Sequence, residues 1–209
     1  MLGAIIGDIV GSIYEFDNIK TKDFELFDGE CFFTDDTVMS VAVAEALLDT
    51  QPDDREDVIK NKLAAAMKKW GREYPHAGYG GHFAGWLRTD DTQPYNSYGN
   101  GSAMRASAAG WLYYDMFTTR YMARLTSAVT HNHPEGIKGA EATAAAIFLA
   151  RNGVSIGGDT DTLCAIAGSI AEAYYGIPED IGETAKSFLT YDLLKVVEKF
   201  YNMLQKSQY

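Results

Sequence analysis

Two short acidic motifs contain the side chains of this sequence that are best suited to chemistry. "FTDDT" at 33–37 and "GGDTDT" at 157–162 each place two aspartates and neighbouring threonines directly before an apolar, alanine-rich run with helical spacing. One carboxylate or hydroxyl is enough to cap the first turn of a helix. Capping therefore explains one acid in each motif and leaves the second acid unexplained.

The second acids predict a cation site if the two motifs meet in space. Four carboxylates and several hydroxyls would form an oxygen-rich cage, which suits hard divalent ions such as Mg²⁺ or Mn²⁺. Without a cation the same carboxylates would repel one another, and some would stay protonated. Chemistry alone leaves two interpretations open, a pair of helix caps and a metal site.

Three further motifs carry weaker signals. "GDIVGSIYEF" at 7–16 contains Glu15, which is either a surface residue or a general base beside a metal-bound water. "SYGNGSAMR" at 97–105 is either a tight turn or a loop whose backbone N–H groups face a phosphate. "THNHPEG" at 130–136 contains His131 and His133, but no further nitrogen or sulfur ligand is in register for zinc. We therefore expect His131 to form hydrogen bonds.

Helices are predicted along most of the chain, and they would position these motifs. Strand signals are weak, and no stretch resembles a linker. The glycine- and aromatic-rich segment 74–101 is the longest irregular stretch, and loops of that length are usually functional. Gly3, Gly7 and Gly11 predict close packing against the first helix. The sequence thus predicts a single all-α domain over residues 1–209. The predicted helices cover about 2–14, 36–49, 53–74, 101–114, 118–130, 135–151, 160–175 and 187–204, with a short helical turn at 178–183.

Composition excludes some partners. The chain has 209 residues, of which 46% are hydrophobic, and its net charge is −11. That charge argues against general affinity for nucleic acid or anionic membranes. Cys31 and Cys164 match no metal or redox spacing and are predicted to be reduced core thiols. The apolar N-terminus lacks a basic start and is too short to span a bilayer, so we expect a cytoplasmic location.

Five motifs taken together resemble those of the ADP-ribosylglycohydrolase family. In chain order they are "GAIIGDIVGSIYE", "FTDDTVM", "SYGNGSAMR", "THNHPEGIKGAEATAAAI" and "SIGGDTDTLCAIAGSIAEAYYG". The resemblance implies an all-α fold with a binuclear magnesium or manganese centre in a cleft. It also implies hydrolysis of the glycosidic bond between ADP-ribose and an acceptor side chain or small group.

The resemblance further implies roles for individual residues. Two Mg²⁺ or Mn²⁺ ions would be bound by Thr34, Asp35, Asp36, Asp159, Asp161 and Thr162, with Asp161 between the ions. Catalysis would fall to Glu15, Asp35 and Asp161. ADP-ribose would contact Ser97, Tyr98, Gly99, Asn100, Gly101 and Met104, with His131 near the ribose hydroxyls.

One departure from the family pattern concerns the segment before the second acidic motif. Only residues 154–156 separate Gly153 from Gly157, where the family has several dozen residues that help to wall the cleft. The alternatives are an open cleft with lower affinity, completion by another subunit, and a non-catalytic ADP-ribose-binding or structural protein. A metal phosphohydrolase acting on another nucleotide is a further alternative. The sequence assigns neither the acceptor linkage nor an oligomeric state.

Overall fold

Helices form the regular structure throughout the part of the chain that the computed structural model describes. That part comprises residues 1–16, 19, 21, 24–25, 27–152 and 176–206, and it contains no strand. The all-α prediction is confirmed. Asp159, Asp161, Thr162 and Cys164 lie outside the described residues, as does the helix predicted at 160–175.

The helix bounds agree with the sequence pattern over most of the described residues. In chain order the helices are α1 Leu2–Gly11, α2 Asp35–Leu48, α3 Glu56–Glu73, α4 Gly81–Arg88, α5 Gly101–Met104, α6 Ser107–Leu112, α7 Met116–Ala128, α8 Pro134–Asn152, α9 Glu179–Ser187 and α10 Tyr191–Lys206. A 3₁₀ turn, Ser12–Tyr14, follows α1. The short turn predicted at 178–183 is a nine-residue helix, α9, with two acids in its first turn and Lys186 in its last, as the helix dipole favours.

The chain folds as two compact units, Met1–Cys164 and Ala165–Tyr209. Helices α1 to α8 belong to the first unit, and α9 and α10 belong to the second. The prediction of one domain over residues 1–209 stays a prediction, because the residues between α8 and α9 lie largely outside the described ranges.

The core of the first unit consists of apolar side chains from α2, α3, α4, α6, α7 and α8, most of them small or flexible. Met39, Leu63, Met67 and Leu125 are fully buried, and each such side chain contributes about 1.5–3 kcal/mol. The small residues allow very close approach of helices. A Cβ added at Gly110 of α6 would lie 2.9 Å from the carbonyl oxygen of Ala144 in α8.

Helix α4 lies inside the segment that the sequence predicts as irregular. Its apolar residues Phe83, Trp86 and Leu87 are buried, and their spacing is helical. The carbonyl groups at its C-terminus are satisfied from α3, because Lys68 Nζ donates to Trp86 O and Arg72 Nε donates to Leu87 O at 2.9 Å. A cap supplied by a distant helix is not visible in the local sequence, so the prediction of an irregular stretch was wrong here.

Two smaller predictions also differ from the structure. The single helix expected over 101–114 is divided into α5 and α6 at Arg105 and Ala106. Cys31 is a free thiol, as expected, but it is half-buried and lies outside the core. No helix among the described residues is both long enough and apolar enough to cross a membrane.

Candidate active site

The N-terminus of α2 carries the first acidic motif. Thr34 is the N-cap, and its Oγ1 accepts a hydrogen bond from the backbone N–H of Asp36 at 3.3 Å. Asp35 and Asp36 are the first two residues of the helix. The loop after α3 lies against this turn, since the N–H of Asp35 donates to the carbonyl of Ala77 at 2.7 Å.

Asp8 of α1 holds the same turn in place. Its Oδ2 accepts from the backbone N–H of Thr34 at 2.8 Å and of Thr37 at 3.1 Å. The hydroxyls of Thr34 and Thr37 each donate to the Asp8 carboxylate at 2.5 Å. Thr34 and Asp8 therefore cap α2 between them, and the carboxylates of Asp35 and Asp36 are not needed for capping.

The sequence predicts that Asp8 shares a helix face with Glu15, seven residues further on, but assigns Asp8 no ligand or catalytic role. The sequence nevertheless shows Asp8 as the one carboxylate within an otherwise apolar N-terminal helix. An acid in that position is costly unless it has hydrogen-bond donors. The donors come from a turn 26 residues further along the chain, and only the tertiary structure identifies them.

The carboxylates at this turn perturb one another. Burial raises the pKa of Asp35 to about 6, and the charges of Asp36, Asp8 and Glu15 add to that rise. Burial also raises the pKa of Asp36, with contributions from Asp8 and Glu15. Among the described residues, no lysine or arginine forms a salt bridge with Asp35 or Asp36. The structure thus brings Glu15 and the first acidic motif into one negative cluster.

The first acidic motif fits half of a site for hard cations. Asp35 and Asp36 offer carboxylate oxygens, and Thr34 Oγ1 gives its proton to Asp8 and so keeps a lone pair for a ligand. In the described part of the chain, no three His, Cys, Asp or Glu side chains are grouped to hold a metal ion. The other half of the predicted ligand set, Asp159, Asp161 and Thr162, lies outside that part.

Tyr79 is a neighbour of Asp35 that the sequence pattern did not reveal. Burial, and then the charge of Asp35, raise the pKa of Tyr79 to about 12, so the side chain stays a neutral phenol. Its hydroxyl is buried and has no hydrogen-bond partner among the described residues. Gly78 has a φ of 102°, a conformation that favours glycine, and the loop there lies close to Asp35, since a Cβ would be 3.6 Å from Asp35 Oδ1.

The glycine loop at 97–101 lies against the imidazole of His131. A Cβ added at Gly101 would lie 3.0 Å from His131 Nε2, and one at Gly99 would lie 3.8 Å from it. The N–H of Ser97 donates to the carbonyl of Thr130 at 3.4 Å. Tyr98 is 75% exposed, and its ring centroid lies 5.4 Å from that of His133.

His131 is buried, with 5% of its surface exposed. Burial, and then the charge of Arg105, lower the pKa of His131 to about 4, so the ring is neutral at neutral pH. Nδ1 lies 2.8 Å from Thr130 Oγ1, and the carbonyl of His131 accepts from Ser127 Oγ at 2.8 Å. This geometry presents Nε2 to the glycine loop.

Helix α2 joins the acidic cluster to the glycine loop. Ser40 Oγ donates to the carbonyl of Met104, the last residue of α5, at 3.3 Å. Ser40 lies five residues after Asp35, a rise of about 7.5 Å along the helix. The structure therefore places the first acidic motif and the glycine loop in one unit, on elements that contact each other.

Comparison with known proteins gives one family and a set of relatives. The family described as ADP-ribosylglycohydrolase matches residues 1–154. Proteins named ADP-ribosylhydrolase ARH3 are similar to this chain, with 31% identity in Bos taurus, 30% in Homo sapiens and 29% in Mus musculus. Each comparison covers 74% of this chain but only 49% to 50% of the relative. The chain thus spans about half the length of the curated relatives it matches.

Proposed function

This chain belongs to the ADP-ribosylglycohydrolase family, and on that premise we propose that it is a metal-dependent hydrolase. It cleaves the N- or O-glycosidic bond between ADP-ribose and an acceptor, either a protein side chain or a small group, and so reverses ADP-ribosylation. The observation that carries this proposal is the turn at the start of α2. Asp8 and Thr34 do the capping there, which leaves Asp35 and Asp36 for another ligand.

The proposed metal site is shared between the two acidic motifs. Thr34, Asp35 and Asp36 of the first motif would hold the ions together with Asp159, Asp161 and Thr162 of the second. Two Mg²⁺ or Mn²⁺ ions, when bound, supply Lewis-acid chemistry that orients the ribose diol and lowers the pKa of a water. The crowded carboxylates of the described half favour binding, because a cation relieves their mutual repulsion.

The chain's own residues perform the remaining steps of the proposed reaction. A water attacks the anomeric carbon as the bond to the acceptor breaks, and the carboxylate of Glu15 accepts the proton of that water. The acceptor leaves with the electron pair of the broken bond and takes up that proton, so the products are ADP-ribose and the free acceptor. The carboxylates of Asp35 and Asp36 stabilise the positive charge that develops on the sugar. His131 and the loop at 97–101 hold the ribose and the diphosphate, so that the bond to be broken is aligned with the water.

The direct test removes one ligand from each motif. We expect Asp35→Ala and Asp159→Ala to abolish release of ADP-ribose from a modified substrate, measured by chromatography of the products. Chelation should abolish it as well, and added Mg²⁺ or Mn²⁺ should restore it. Asp57→Ala is the matched control, because Asp57 also lies in the first turn of a helix but is exposed and pairs with Arg55. Full activity in chelator-stripped protein would refute the proposal.

A second test addresses Glu15. We expect Glu15→Gln to lower kcat by two or more orders of magnitude, in line with the usual contribution of a general base, about 10²–10⁴-fold. Elemental analysis of the variant should still find the metal of the wild-type protein. Loss of both ions in this variant would show instead that Glu15 helps to hold the metal site together.

The alternative is a non-catalytic protein that binds ADP-ribose on the same scaffold. The short connection between Gly153 and Gly157 favours it. Calorimetric binding of ADP-ribose, with no hydrolysis of arginine-, serine- or acetyl-linked conjugates, would support this alternative. Release of phosphate without release of ribose would indicate a phosphohydrolase.

A further inference from the structure

Arg105 is a buried charge in the first unit that the proposed reaction does not use. Its side chain is 1% exposed, and its Nε has no hydrogen-bond partner among the described residues. In that part of the chain, no carboxylate forms a salt bridge with it. One terminal nitrogen donates to the carbonyl of Thr126 at 3.2 Å and to Thr130 Oγ1 at 2.7 Å. A guanidinium buried against neutral acceptors is costly, so packing alone does not account for it.

Thr130 connects this charge to His131. Its Oγ1 accepts from Arg105 and lies 2.8 Å from His131 Nδ1. A guanidinium can only donate, so Thr130 Oγ1 acts as the acceptor for Arg105. The single proton of the Thr130 hydroxyl is therefore available for donation to another group. The positive charge of Arg105 polarises this hydroxyl and makes it a stronger donor.

The direction of the bond between Thr130 and His131 follows from the same charge. An N–H group at Nδ1 would place its partial positive charge towards the Arg105 guanidinium, which is unfavourable. A lone pair on Nδ1 instead accepts favourably from the polarised hydroxyl. Tyr95 is the other group near this position, with its ring centroid 6.1 Å from that of His131. Burial raises the pKa of Tyr95, so its side chain is a neutral phenol, and a phenol oxygen is a weaker acceptor for the Thr130 proton than the imidazole Nδ1. The favoured arrangement is therefore Thr130 donating to Nδ1, with the ring proton on Nε2.

Nε2 is the atom of His131 that faces the glycine loop. A Cβ at Gly101 would lie 3.0 Å from Nε2 and 3.2 Å from Cε1, so this edge of the ring borders the loop directly. An N–H group there can donate to a ribose hydroxyl or phosphate oxygen, whereas an unprotonated Nε2 would repel a phosphate oxygen.

We propose that Arg105 and Thr130 are positioning residues, which fix His131 as its Nε2–H tautomer so that Nε2 donates to an oxygen of ADP-ribose. The inference rests on the proposed function, since that function names the ligand. It goes further in assigning roles to two residues that do not touch the ligand themselves.

The tautomer is tested on the ligand-free protein by ¹⁵N–¹H correlation NMR of the histidine rings. The chain has four histidines, and His131→Gln assigns the resonances of interest. We expect a protonated Nε2 and an unprotonated, hydrogen-bonded Nδ1 in the wild-type protein. A proton on Nδ1 of wild-type His131 would overturn the positioning role, and the tautomer itself is read from the wild-type protein.

The coupling to the ligand is tested by calorimetry with ADP-ribose. We expect Thr130→Val to shift the Nδ1 resonance and to weaken binding about fivefold, the size of one lost hydrogen bond. Thr130→Ser keeps the hydroxyl and should show the wild-type Nδ1 resonance and the wild-type affinity. The matched control is Thr119→Val, because Thr119 in α7 is also fully buried and its hydroxyl has no partner among the described residues.

The possible failures are distinguishable. Unchanged Nδ1 resonance and affinity in Thr130→Val would overturn the positioning role, and so would equal losses in Thr130→Val and Thr130→Ser. Failure of the wild-type protein to bind ADP-ribose would overturn the proposed function and the ligand named here. The tautomer measurement would remain valid in that case.

Discussion

At the residue scale, Asp35 destabilises the metal-free protein at a position where a cation can bind. Folding moves its carboxylate from water into a half-buried position beside Asp36 and within the fields of Asp8 and Glu15. The charged form is disfavoured by this change, and the pKa rises to about 6. The metal-free protein therefore carries an unfavourable charge at neutral pH, and a bound cation would remove that penalty.

This electrostatic cost predicts that Asp35→Asn stabilises the metal-free protein. An aspartate in water has a pKa of 3.8, whereas that of Asp35 in the folded protein is about 6, so folding binds protons between these values. The free energy of unfolding accordingly falls as the pH rises towards 6, and above that pH the full destabilisation by the charged Asp35 is present. A rise of about two units corresponds to about 3 kcal/mol, and partial exposure reduces this to about 1–2 kcal/mol.

Urea unfolding at pH 5 and pH 7.5 measures this effect. In the absence of metal, the Asp35→Asn protein should exceed the wild type in free energy of unfolding at pH 7.5 by more than at pH 5. Added Mg²⁺ or Mn²⁺ should stabilise the wild-type protein and leave the variant unchanged. Asp57→Asn serves as the exposed control. A variant less stable than the wild type at pH 7.5 would show that the Asp35 carboxylate is favourably solvated.

At the element scale, small residues decide how closely the helices approach. The contact between α6 and α8 depends on Gly110, where a Cβ would meet the Ile147 side chain at 2.7 Å and the Ala144 carbonyl at 2.9 Å. Gly11, one of the three glycines for which close packing is predicted in α1, behaves differently, because a Cβ there would meet no atom of the described residues within 4 Å. The prediction of close packing at Gly11 was wrong, since spacing alone does not show which part of a helix lies against a neighbour.

The contact at Gly110 predicts a measurable difference between two Gly→Ala substitutions in helices. Gly110→Ala should lower the free energy of unfolding by about 1–3 kcal/mol, because backbone atoms of α8 cannot move aside locally. Gly85→Ala in α4 is the matched control, since a Cβ there meets nothing within 4 Å. Helix propensity should make that control up to about 1 kcal/mol more stable than the wild type. Equal effects at the two positions would contradict this account of the α6–α8 contact.

At the scale of the whole molecule, the proposed centre needs both acidic motifs, which are separated by more than a hundred residues. We expect elemental analysis of the purified protein to find two divalent ions per chain. Asp35→Ala and Asp159→Ala should each lose metal, because one half of the ligand set cannot neutralise its own repulsion and complete the coordination. Full retention of both ions by Asp159→Ala would show that the second motif lies outside the centre.

The sequence by itself determined the helical class, most helix positions and the two acidic motifs, because helical periodicity and capping are local properties of the chain. It also determined the family, through motifs in a fixed order. The tertiary structure decided which groups cap α2 and α4, that Tyr79 lies beside Asp35, and that Arg105 reaches His131 through Thr130. These are contacts between residues far apart in the chain, and the balance of burial, charge and hydrogen bonding that fixes them exists only after the helices have packed.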